Sequence, residues 1–154
     1  MFDRTVIVAF LLSLALVCLM AYYVHAEPAT NPFVTQETLG QTVCVKGWTA
    51  SVRPPYWTTQ KLKDDMLHAA GYTWDAHAAF ELDHVLPLCA GGAPLDASNL
   101  ALQPIEEAKR KDRVEAVACR CLCAGKVTLD EIRADFKDWR VAYSKYAKMS
   151  CGRR

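Results

Sequence analysis

The sequence predicts an α+β domain: two short strands joined by a glycine turn, a helix after the second strand, further helices around them, and disulfides holding the whole. Three observations predict it. The apolar runs Ala79-Phe80-Glu81-Leu82 and Asn99-Leu100-Ala101-Leu102-Gln103 flank Gly91-Gly92, as strands flank a turn. Pro104 closes the second run, and the charged segment Glu106 to Arg113 then opens a helix, with acidic residues in its first turn where they suit the helix dipole. Six cysteines lie beyond the N-terminal apolar stretch, an even number that suggests disulfides in a small exported chain.

The 154 residues are enough for one core and too few for two full domains. Residues 1–26 read as an export signal: Asp3 and Arg4 precede an apolar run from Thr5 to Val24, and Val24-His25-Ala26 offers a cleavage site. The run is also long enough for a retained membrane anchor, and a membrane is a partner only in that case. Either reading places the rest of the chain outside the cytoplasm, periplasmic or secreted. Eighteen Lys and Arg against seventeen Asp and Glu leave a net charge of +1, which argues against coating nucleic acid by bulk charge; any basic surface must be local.

Residues 27–40 hold two prolines, an asparagine and several hydroxyls and read as a linker, so the domain is expected over residues 41–154. Gln41 to Val45 has the β-branched content of a short strand ending near Gly47. Arg53-Pro54-Pro55 is expected to be extended, with Arg53 able to reach a site. Thr59 is placed to cap a helix over Gln60 to Ala70, with Leu62, Met66 and Ala70 facing inward, Lys61, Lys63, Asp64 and Asp65 solvated, and Gly71 stopping it. The helix after Pro104 should run from about Glu106 to Cys121, with Gly125 at its end. Thr128 and Glu131 form a capping box for a last helix. Ile132, Phe136, Trp139, Tyr143 and Tyr146 make one apolar stripe along it, read as core. Cys119-x-Cys121-x-Cys123 lacks the spacing of a zinc knuckle or a redox pair. Six cysteines allow fifteen pairings, and the residues do not choose among them.

Asp83-His84 is the chemical focus. Asp83 is a hard oxygen ligand suited to Mg²⁺. His84 is the natural general base, because its unperturbed pKa lies near neutral. A regular strand would point the two side chains to opposite faces, so the chain is expected to bend there for both to act on one phosphate. The Asn99 amide can bond backbone across the loop and hold the strands in register. Lys109, Arg110, Lys111 and Arg113 offer phosphate contacts from the helix.

Asp83-His84-Val85-Leu86-Pro87-Leu88, Gly91-Gly92, Asn99-Leu100 and Lys111-Asp112-Arg113-Val114-Glu115 together resemble the HNH endonucleases of the ββα-metal fold, and more closely the small exported bacterial HNH-like proteins. Cys44-x-x-Gly47 before Arg53-Pro54-Pro55, Cys123-Ala124-Gly125 and the tryptophan-tyrosine C-terminal helix extend the likeness over most of the chain. The resemblance implies a ββα-metal core with flanking helices and an exported, metal-dependent endonuclease that hydrolyses phosphodiester bonds in nucleic acid, DNA preferred and RNA possible. It implies Asp83 as metal ligand, His84 as general base and Asn99 as the residue that orders the loop. It implies one divalent ion, Mg²⁺ first, with Mn²⁺, Ni²⁺ or Zn²⁺ as alternatives, and no obligate protein partner. Lys109, Lys111, Arg113 and Arg53 are the expected nucleic-acid contacts. A Cys44–Cys123 bridge is implied, with Cys89, Cys119, Cys121 and Cys151 left as extra pairs. The chain departs from the pattern at Ala108, where a His or Asn ligand usually stands; Glu107 is the substitute ligand expected. The alternative reading is a scaffold that kept the fold, lost the metal site and binds nucleic acid or serves a structural role. A thiol-redox protein built on Cys119 to Cys123 is a third.

Overall fold

In a computed structural model that describes residues 27–152, Phe80–His84 (β1) and Leu100–Pro104 (β2) form a two-stranded antiparallel sheet. Its register pairs Glu81 with Gln103, Asp83 with Ala101 and His84 with Leu100. The fold is mixed helix and strand, stapled by three disulfides. Helices Trp48–Val52 (α1) and Tyr56–Ala69 (α2) precede the sheet; Ile105–Cys123 (α3), Leu129–Phe136 (α4) and Trp139–Tyr146 (α5) follow it. The expected export signal lies outside the described residues. Within them, no helix is long and apolar enough to cross a membrane.

Pro104 serves two elements at once. It ends β2 and, at φ −54° and ψ 135°, stands immediately before the first turn of α3, where its missing N–H costs nothing. One face of α3 buries Ala108, Val114, Ala118, Cys121 and Leu122. That face meets Ile132 and Phe136 of α4 and Ala142 and Tyr146 of α5, with the Phe136 and Tyr146 rings stacked 6.0 Å apart. Gly125, at φ 65°, turns the chain out of α3. The Thr128–Glu131 capping box is formed as expected.

Four expectations about local structure are corrected. Residues 41–45 form turns rather than a strand, because Thr42, Cys44 and Val45 direct their N–H groups to nearby carbonyls and no second strand is at hand. Helix α2 begins at Tyr56, before Thr59, with Pro55 ahead of its first turn; it buries Lys63 and Leu67, one position on from the expected stripe. The last helix is broken at Lys137-Asp138: the Asp138 side chain accepts from the Arg140 N–H at 3.0 Å and starts α5 anew. The break rotates the stripe, so Ile132, Phe136 and Tyr146 stay buried while Tyr143 is 40% exposed. Finally, residues 29–39 are packed, where a linker was expected. Thr30 bridges to Gly92, Val34 is buried, and Arg133 donates to the Val34 and Ala90 carbonyls at 2.9 Å each.

The disulfides are Cys44–Cys123, which is the pair the resemblance implied, Cys89–Cys119 and Cys121–Cys151. They are consistent with an extracellular or otherwise oxidising compartment. Cys119, Cys121 and Cys123 project from α3 at steps of about 200°, so one helix end reaches three separate segments.

Candidate active site

Asn99 builds the loop on which the site stands. It is fully buried; its Oδ1 accepts from the Leu86 N–H at 2.7 Å, and its Nδ2 donates to the carbonyls of Leu86 at 3.1 Å and Ala93 at 3.0 Å. Three bonds from one amide close the chain between β1 and β2. The Gly91-Gly92 turn follows the same logic. Gly91 has φ 72°, and a β-carbon on Gly92 would overlap the Leu86 carbonyl and the Asn99 amide.

The strand does not bend at Asp83-His84. Pairing is regular through His84, so the two side chains leave opposite faces. Asp83 turns toward α3. Its Oδ2 accepts from Lys111 Nζ at 2.8 Å, and its Oδ1 accepts from the His84 N–H at 2.8 Å. With its amide nitrogen toward Asp83, Gln103 donates to the same Oδ2 at 2.6 Å and accepts from the Trp139 indole at 3.2 Å. Lys111 is 2% exposed, and its three donors are all used: on Asp83, on the His84 carbonyl at 2.6 Å, and on Glu115 one helical turn along. Burial lowers the Lys111 pKa, but Glu115 and Asp83 outweigh it and the net shift is upward. Burial raises the Glu115 carboxyl to about 6 despite Lys111, and raises Glu81 and Asp112 with help from the charge on Asp83.

His84 faces elsewhere. Its Nε2 lies 3.0 Å from the Pro94 carbonyl, which can only accept, so Nε2 carries the proton and Nδ1 keeps its lone pair. Nδ1 has no hydrogen-bond partner among the described residues. Burial lowers the pKa of the ring, against the Pro94 bond and Asp83, and the positive charge of Arg53 pushes the same way as burial. His84 borders a cleft of ≈ 530 Å³ between β1 and the start of α2, whose walls include Arg53, Gln60 and Glu81. It also borders a second cleft of ≈ 350 Å³, toward α3 and α5, with Asp83, Gln103 and Glu107.

The expected site residues therefore divide. His84 and Arg53 share a cleft. Asp83 and Lys111 are joined in a buried pair, which leaves the Lys111 ammonium no donor for a phosphate. Glu107 lines the cleft with Asp83, but its carboxylate is bonded to Arg140 at 3.0 Å. Lys109 is exposed and paired with Glu106 at 2.7 Å. Arg113 is exposed on α3. Ala108 is 1% exposed and faces the core. Pro94, Gln103, Glu115, Trp139 and Arg140 were not singled out from sequence as site residues. Glu115 had a signal, four residues after Lys111 on the same helix face. Gln103 had a weaker one, on the face of β2 that alternation shares with Ala101 opposite Asp83. Pro94 acts through its carbonyl, and nothing in its side chain announces that.

A resident divalent ion held by Asp83 and Glu107 does not fit these donors. Each carboxylate already neutralises a cation, and an ion on Asp83 Oδ2 would meet the Lys111 ammonium. Among the described residues, no three of His, Cys, Asp or Glu converge to hold a metal.

No protein-family model matches the chain, and no curated protein or solved structure does either.

Proposed function

We propose that the protein is an exported hydrolase of nucleic-acid phosphodiester bonds, an HNH-type endonuclease in scaffold, with His84 as general base. The observation that carries this reading is the His84 ring: its Nε2 proton is held by the Pro94 carbonyl, its Nδ1 has no partner among the described residues, and the residue lines a cleft with Arg53. The order strand, glycine turn, strand, helix and the Asn99 lock on the connecting loop support the HNH scaffold. In the reaction, Nδ1 takes a proton from water as its oxygen bonds to phosphorus; the bond from phosphorus to the leaving sugar oxygen breaks, and that oxygen takes a proton from solvent. Arg53 offsets the phosphate charge as it builds up. Asp83 accepts from the His84 backbone N–H and Lys111 donates to the His84 carbonyl, so the two peptide groups on either side of the His84 Cα are both held. No step is assigned to a metal.

The second reading is a nucleic-acid-binding module without cleavage, favoured by the cations that close both Asp83 and Glu107. A cleavage assay separates the two. Mature, oxidised protein is incubated with supercoiled plasmid and with labelled single-stranded DNA and RNA, in Mg²⁺, in Mn²⁺ and in EDTA. The wild type is expected to cut, and His84→Ala to lose about 100-fold or more, the usual worth of a positioned base. Because burial lowers the His84 pKa, the acid limb of kcat/KM should fall below the ordinary imidazole value of about 6.5. Cleavage that survives EDTA supports chemistry by His84 and Arg53. Cleavage that EDTA stops returns a metal to the mechanism and requires Lys111 to release Asp83. No cleavage in any condition would overturn the proposal and leave the binding module.

A further inference from the structure

Beside the ≈ 350 Å³ cleft, and sharing Glu107, Trp139 and Arg140 with it, lies a third depression of ≈ 460 Å³ between α3 and α5. Its walls are Arg110 and Arg113 from α3, Trp139, Arg140 and Tyr143 from α5, and Glu107. Arg110 and Arg113 are three residues apart and therefore share a helix face. Both are exposed, and neither forms an ion pair among the described residues. Glu107 is the one carboxylate in the wall and is bonded to Arg140; nearby Glu106 is bonded to Lys109, and Asp138 lies 3.7 Å from Arg140. Arg140 is thus offset by Glu107, and the guanidinium groups of Arg110 and Arg113 are left without a carboxylate partner among the described residues.

The aromatic side chains complete the wall. Trp139 is fixed by its indole bond to Gln103 and carries the Arg140 guanidinium 5.1 Å from its ring centre. Tyr143 stands edge-on to Trp139 at 6.2 Å and is 40% exposed. The helix break at Lys137-Asp138 turns Tyr143 out of the core and onto the wall with Arg110 and Arg113.

We infer that this groove between α3 and α5 is a binding site for a single strand of nucleic acid, with Arg110, Arg113 and Arg140 on its phosphates and a base on Tyr143. Guanidinium groups beside aromatic rings are the chemistry by which proteins hold unpaired strands, because every base has a face to stack. A duplex keeps its bases stacked on each other and offers Tyr143 none. The shared Glu107, Trp139 and Arg140 make the groove continuous with the ≈ 350 Å³ cleft on the Asp83 face of β1. The inference rests on the proposed nucleic-acid substrate and names its form.

The test is binding, read apart from cleavage. Full mature His84→Ala protein, oxidised and in EDTA, is titrated against a labelled 12-nucleotide single strand and against the matching duplex, with fluorescence anisotropy as readout. The single strand should bind at least about tenfold tighter than the duplex. Tyr143→Ala should weaken it about five- to a hundredfold, Tyr143→Phe should keep it, and Arg113→Ala should flatten the salt dependence. Equal affinity for duplex and single strand, or Tyr143→Ala and Tyr143→Phe alike at wild-type affinity, would overturn the inference. Tight single-strand binding by a protein that never cuts sinks the endonuclease and leaves the groove standing; cutting with no dependence on Tyr143 or Arg113 does the reverse.

Discussion

Lys111 gives its three protons to three acceptors, and two of those belong to the Asp83-His84 dipeptide. A single buried ammonium thereby sets the height of β1 over α3 and closes the carboxylate that the motif would lend to a metal. Glu115 is the third acceptor, and it carries a pH signature. Its carboxyl is raised to about 6 in the fold, above the unfolded value of 4.5, so the native state holds the proton more tightly. The associated stability is full below pH 4.5 and is lost as pH rises through about 6. Between pH 4 and pH 7, the stability difference should move in favour of Glu115→Gln over wild type by about 2 kcal/mol, measured by urea unfolding at each pH. A flat difference would show that Lys111 holds Glu115 ionised throughout.

At the scale of elements, the glycine turn is the critical joint. Gly92 has no room for a β-carbon between the Leu86 carbonyl and the Asn99 amide, so Gly92→Ala should cost about 2–3 kcal/mol by urea unfolding, whereas Gly40→Ala, which meets nothing, should be near neutral. Much of this tier was legible in the sequence. The two strands, the Gly-Gly turn, α3 after Pro104 and the Thr128 cap each rest on signals local to the chain. What failed depended on partners distant in sequence. Gln41 to Val45 had strand composition but no strand to pair with. Lys63 was assigned to solvent by its charge, yet α2 turns it inward, 3.4 Å from His77. The stripe through Tyr146 held its period but not its direction, because Asp138 prefers capping a new helix to continuing an old one. In the site itself, His84 and Asn99 could be singled out because their own side chains make the contacts. The tautomer set by the Pro94 carbonyl could not be, and neither could the Arg140 pairing that occupies Glu107 from 33 residues away.

For the whole molecule, the three bridges supplement one hydrophobic core. They close loops spanning 79, 30 and 30 residues. Each is worth about 4 kcal/mol in the chain-entropy limit, so replacing both Cys44 and Cys123 by Ser should lower unfolding stability by about that amount. Thiol titration in denaturant should find no free cysteine among the six. The convergence of all three bridges on the last turns of α3 has a further consequence. Every peptide bond between Cys44 and Cys151 is spanned by at least one bridge. A protease that severs one of them produces two chains that remain a single covalent molecule, separated on a gel only after reduction. The molecule can therefore be nicked in an exposed loop and still keep His84, Arg53 and the α3–α5 groove tied to one another.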